Sequence, residues 1–191
     1  MSEPRGILSE DAHVSRPAQE RAEKRKIASS RNMFDSYALN KWEHTYFNGN
    51  TGGFVVTDLA RIPPESETNQ SNEGKKYRKE RSMCIDLADF GLGVKHLFEK
   101  AGVSSADIIV DRGKHAVVEI NGKTADLKAL NNSNNIRREA KDTFEKKKKA
   151  DLIVFRFAKR DRKIENEIRK LARKNWHGMY YFRGENELHE F

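Results

Sequence analysis

An α/β fold, with a mixed β-sheet flanked by helices, is the class this sequence predicts, and three observations predict it. A helix-like segment over Tyr77–Phe90, with Met83, Cys84, Leu87 and Ala88 near helical spacing, runs into the stop signals Gly91 and Gly93. Short β-rich runs follow at Val94–Phe98, Asp107–Val110, Ala116–Ile120 and Thr124–Leu130. The pattern then alternates: a basic helix over Asn135–Ala150, an apolar strand at Leu152–Phe155, an amphipathic helix over Lys163–Lys174 and a last strand at Met179–Phe182.

Ahead of this domain, taken as 77–191, the chain divides by composition. Residues 1–33 mix Ser, Glu, Arg and Lys with little apolar periodicity and read as a flexible or transiently helical tail. Over 34–62 the aromatics Phe34, Tyr37, Trp42, Tyr46, Phe47 and Phe54 return. Here Asn50–Gly53 offers a turn before the strand-like Phe54-Val55-Val56, an extension expected to pack on the main domain. The stretch 63–76 opens on Pro63-Pro64 and continues in polar turn formers, as a loop or linker does.

At 191 residues the chain suits one core with appendages. A net charge of +8 favours a polyanionic partner, nucleic acid first and an anionic membrane surface second. No apolar run approaches the ~18 residues of a membrane span, and the polar start does not read as a secretion signal, so a cytoplasmic, membrane-free protein is expected. Cys84 is the sole cysteine, which excludes an internal disulfide and a multi-cysteine zinc site.

Asn121-Gly122 is a strong hairpin signal. With a two-residue turn there, Ile120 would pair with Lys123, Glu119 with Thr124 and Val118 with Ala125. His115, Val117, Glu119, Thr124, Asp126 and Lys128 would then share one face, and Ala116, Val118, Ile120, Ala125 and Leu127 the other. Two carboxylates beside a lysine are what hydrolysis of a phosphodiester by a hard divalent ion needs: oxygen ligands for magnesium or manganese, and a cation for the developing charge. A charged strand face opposite an apolar one is ordinarily a solvated surface, so the hairpin acquires meaning only from its surroundings.

Those surroundings are a helix with Glu80, strands with Asp107 and Glu119, the phrase Asp126-Leu127-Lys128, and a basic helix. In that order they resemble the restriction-endonuclease-like core (αβββαβ) of PD-(D/E)xK nucleases. The resemblance is nearer still to the tRNA-cleaving C-terminal domains of contact-dependent inhibition toxins and to phage-associated relatives. It rests on Lys79-Glu80 through Gly91, Ala106–Ile109, Ile120–Lys128 and Asn134–Arg137, roughly two-fifths of the chain, with moderate motif specificity. Where many members place Pro-Asp just before the Ile-Asn-Gly phrase, this chain has Val117-Val118.

The resemblance implies a metal-dependent endonuclease from a bacterial or phage source, toxin-like, cleaving tRNA and opposed by an immunity or antitoxin protein. Delivery into another cell would go with that role. Glu80, Asp126 and either Asp107 or Glu119 would hold Mg2+ or Mn2+, with Lys128 aiding catalysis. Strand pleating favours Glu119 and family order favours Asp107, and both stay open. Arg137, Arg138, Lys141, Lys146 and Lys147 on the basic helix would track a nucleic-acid backbone, RNA or DNA. The rivals are a DNA endonuclease on the same fold, a non-catalytic nucleic-acid-binding or phage-associated module, and a metal-independent ribonuclease using His44 or His115.

Overall fold

The computed structural model describes residues 16–65, 70–97, 108–112, 123–146 and 150–191, with 108–112 and 146 as backbone alone. In chain order the elements are helix α1 (Arg16–Asp35), strands β1 (Trp42–Phe47) and β2 (Phe54–Asp58), helix α2 (Asn72–Asp89), and strands β3 (Gly93–His96), β4 (Ile108–Arg112) and β5 (Lys123–Leu130). Helix α3 (Ile136–Lys141), strand β6 (Leu152–Phe157), helix α4 (Arg162–Ala172) and strands β7 (Gly178–Phe182) and β8 (Leu188–Glu190) complete them. The strands form one eight-stranded sheet in the order β1 to β8. It is mixed: β2·β3, β5·β6 and β6·β7 run parallel and the other neighbours antiparallel. The expected α/β class is therefore present.

Alternation along the strands builds two core layers. Val55, Val94, Ala125, Leu127, Val154 and Tyr181 meet Met83, Cys84 and Leu87 of α2. On the other face Ile153, Phe155 and Phe157 meet Ile136 and Ala140 of α3 and Ile164, Ile168 and Leu171 of α4. The spacing of those last three residues is a helix's buried stripe, and Asp161 caps α4 by accepting from Lys163 N–H at 2.8 Å. β6 is buried on both faces, as its near-continuous apolar run requires between two parallel neighbours.

Three expectations are corrected. Lys123, Thr124 and Ala125 pair with Val110, Ile109 and Ile108, not with Ile120, Glu119 and Val118. Ala125 has Ile108 on one side and Leu152 on the other, which leaves β5 no open edge for Val118. The Asn121-Gly122 turn and the Ala116–Ile120 strand lie outside the described residues. Second, α1 runs through the boundary drawn at residue 33, because its last turn carries Phe34 into a small core with Phe54 and Val56. Third, 34–62 is no appendage: β1 and β2 are strands of the sheet itself.

The entry to β2 lies hard against the end of α2. A Cβ on Gly53 would lie 1.8 Å from the Ala88 carbonyl oxygen at the end of α2, a backbone atom that cannot swing away. Gly53→Ala is therefore expected to cost about 1–3 kcal/mol by overpacking, read as a lower urea midpoint with an unchanged slope. A midpoint equal to wild type would show that α2 can shift freely against β2.

Candidate active site

β5 carries a conflict that the fold alone does not explain. It is an interior strand, yet Asp126 on it is 1% exposed, and carboxylates are almost never fully buried without partners. Ala125 and Leu127 project into the core beneath α2, so Asp126 and Lys128 project to the opposite face, toward α3 and the wide π-helical turn Asp142–Lys146. Thr143 on that turn donates from Oγ1 to Asp126 Oδ2 at 2.6 Å, and Lys128 Nζ stands 3.1 Å from the same oxygen. Glu139 of α3 continues the chain of charges, with Oε2 at 3.7 Å from Lys128 Nζ and Oε1 at 3.1 Å from Arg138 Nη2. A π-turn places side chains that a regular helix would rotate elsewhere, and such turns recur at functional sites.

The result is a buried carboxylate satisfied by a hydroxyl and an ammonium, with Lys128, 24% exposed, as its outlet to solvent. A carboxylate oxygen such as those of Asp126 is the kind of ligand that magnesium or manganese takes. Thr143 and Glu139 were not anticipated from sequence. Their spacing of four residues puts both on one helical face of an otherwise cationic segment, which was the available signal.

Glu80 is held elsewhere. Its Oε2 accepts from Arg61 Nη2 at 2.7 Å and from His96 Nε2 at 3.1 Å, and Lys76 Nζ is 3.6 Å from Oε1. Tyr77 stacks on His96 at 5.6 Å, and the Arg61 guanidinium lies over the Tyr77 ring. His96, Ile108 and Ala125 form one rung across β3, β4 and β5, so this ion-pair cluster sits on the α2 side of the rung next to Asp126 while the Asp126 carboxylate lies on the α3 side. The structure brings Asp126 and Lys128 together; Glu80 it gives to Arg61 and His96. Asp107 and Glu119 lie outside the described residues.

The cluster predicts acid sensitivity. Burial pushes Glu80 up, but the hydrogen bonds from His96 and Arg61 and the charges of Arg61 and Lys76 prevail and hold it below its ordinary 4.5. Burial pushes His96 below its ordinary 6.5 and outweighs Glu80. A neutral Nε2–H tautomer fits, since His96 Nδ1 has no partner among the described residues. A histidine whose folded value is depressed contributes no penalty above 6.5 and loses stability as pH falls from there. A depressed carboxyl contributes fully above 4.5 and is lost as pH falls through its folded value. Unfolding free energy should thus be flat above 6.5 with respect to this cluster and fall below it, by at most about 1.4 kcal/mol per pH unit for each proton. His96→Gln, which preserves a donor to Glu80, should remove the first stage and keep the second, as read by urea titrations across pH.

On α3, Arg137, Arg138 and Lys141 are exposed; Arg138 pairs with Glu139, and Lys141 Nζ is 3.9 Å from Glu145. Arg137 has no ion pair among the described residues. Lys147 and the side chain of Lys146 lie outside them. Among the described residues, Glu185, Glu187 and His189 also place ligand atoms within 4.8 Å of one another and could hold a metal ion. Arg160 already stands among them, at 2.7 Å from Glu185, 3.6 Å from Glu187 and 3.2 Å from His189 Nε2. His44 Nε2 is 2.9 Å from the Tyr37 carbonyl, a packing role; His115 lies outside the described residues.

No family model matches the chain. No curated protein matches it. Among solved structures it matches a chain of the CdiA-CT/CdiI toxin and immunity complex from Burkholderia pseudomallei, with 17% identity, a TM-score of 0.50, and coverage of 72% of this chain and 97% of that one. At that identity the likeness is one of fold. No helix among the described residues is long and apolar enough to cross a membrane.

Proposed function

We propose that the chain is a divalent-metal-dependent endonuclease of the PD-(D/E)xK type, a toxin-like RNase acting on tRNA that an immunity protein neutralises. The observation that supports it most is the Asp126–Lys128 pair, 3.1 Å apart on one face of an interior strand and covered by a cationic helix. The likeness to a chain from a toxin and immunity complex supports the toxin-like setting and the immunity partner.

In this reading Asp126 holds a magnesium or manganese ion, which supplies a polarised phosphoryl oxygen and an activated water. Lys128 orients the attacking water and stabilises charge developing on the phosphate. Thr143 fixes the carboxylate so that its geometry is set before substrate arrives. Arg137, with Arg138 and Lys141 beside it, draws the strand by its phosphates. The second ligand in this reading is Asp107 or Glu119, both of which lie outside the described residues. Glu80 serves as the buried anchor of α2 on Arg61 and His96.

Incubation of the full chain with tRNA, total RNA and plasmid DNA, in magnesium or EDTA, tests this. Cleavage of tRNA that EDTA abolishes is expected. Cleavage that persists in EDTA sinks the metal reading, cleavage of DNA alone points to a DNA endonuclease, and no cleavage under any condition points to a binding module.

A further inference from the structure

We infer that a second site, distinct from that of Asp126, binds a phosphate group in a cavity lined by Lys79, Arg156 and Arg183. The cavity measures about 280 Å³ and lies at the carboxyl ends of the parallel strands β5 and β6, with Leu130 and Phe157 in its wall and Asn131 at its edge. That is close to the ~300 Å³ at which ligand pockets begin, and the crevice beyond the carboxyl ends of parallel strands is where α/β sheets take ligands.

Its charged side chains are all cations. Arg156 is pinned beneath α2, 13% exposed, with Nη1 donating to Ser82 Oγ at 2.9 Å and Asp86 Oδ2 at 3.0 Å. Both bonds use that one nitrogen, so the donors on Nε and Nη2 remain for a ligand. Lys79 and Arg183 have no ion pair among the described residues, whereas Arg61, Arg160 and Lys128 all stand against carboxylates. An anion is therefore the complement. A dianionic phosphate matches the two unpaired charges, where a carboxylate would leave one over, and a guanidinium fork presents paired donors to phosphate oxygens. Ala129 and Arg156 are paired in register and Arg156 reaches Asp86 of α2, while Lys128 reaches Glu139 of α3. Lys128 and Arg156 thus reach helices on opposite faces of the sheet, and the second site does not depend on cleavage.

The phosphate can be the terminal group of a nucleotide or an internal link of a strand. Titration calorimetry of the full chain in EDTA at fixed ionic strength, with inorganic phosphate, 5′-AMP and the dinucleotide ApA, separates these. Binding of phosphate and AMP but not ApA identifies a terminal group; binding of ApA as well identifies a backbone phosphate. In either case the double variant Lys79→Ala/Arg183→Ala should weaken binding about tenfold or more. Arg162→Ala/Arg173→Ala, at the first residue of α4 and at its C-cap, with the same loss of charge, should change it less than about twofold, and Asp126→Asn should not change it. All of these positions but Asp126 are exposed or half-exposed, and matching melting curves would show that the fold is kept. No binding of any of the three probes overturns the inference, as does equal weakening by the α4 pair, or loss of binding in Asp126→Asn.

Discussion

Asp126→Asn is expected to lower tRNA cleavage in saturating magnesium by at least about 10²–10³-fold, with little change in fold. Asparagine keeps the shape and keeps an oxygen for the Thr143 hydroxyl, which now donates at 2.6 Å. What it removes is the negative charge that a divalent ion needs. Lys128 loses its nearest anion but is 24% exposed and has Glu139 at 3.7 Å, so its charge can rehydrate. A single-turnover assay together with a melting curve reads both effects. Near wild-type cleavage would refute the site.

Lys128→Met should have the second largest effect, and it differs in kind. Cleavage is expected to fall about 10²-fold through loss of the cation beside the reacting phosphate. Stability should fall too, because Asp126, 1% exposed, then loses the ammonium that stands 3.1 Å from its carboxylate. Breaking a buried pair from one side costs about 3–5 kcal/mol in the fully buried case, and the partial exposure of Lys128 brings the expected loss to roughly 1–3 kcal/mol. The double variant Asp126→Asn/Lys128→Met should regain much of that stability while remaining inactive, since no uncompensated charge is left. A double variant less stable than Lys128→Met would show that the two residues are not coupled in this way.

The Asp126–Lys128 pair was legible because strand pleating is a local rule: Asp126-x-Lys128 on an alternating run places both groups on one face whatever its neighbours are. Apolar runs such as Leu152–Phe155 and the stripe Ile164, Ile168, Leu171 announced themselves for the same reason. Register was not legible. Asn121-Gly122 suggested a partner for β5 by proximity in sequence, but both edges of β5 are taken, by β4 and by β6. Nor was the fate of Glu80. Its partners Arg61 and His96 lie 19 and 16 residues away, and a carboxylate that neutralises a buried guanidinium looks in sequence like one that awaits a metal. α1 was undervalued because most of its surface is polar, and a single buried aromatic, Phe34, attaches it.

The strands stand side by side in the order in which the chain spells them, so each pairs only with its neighbours in sequence. No strand must wait for a distant one, and the sheet can grow from either end of a nucleus as loop-closure costs are met in small instalments. A chain emerging from a ribosome can therefore lay down β1 to β4 before β5 exists, and the two halves of the site meet when α3 folds back over a strand already in place.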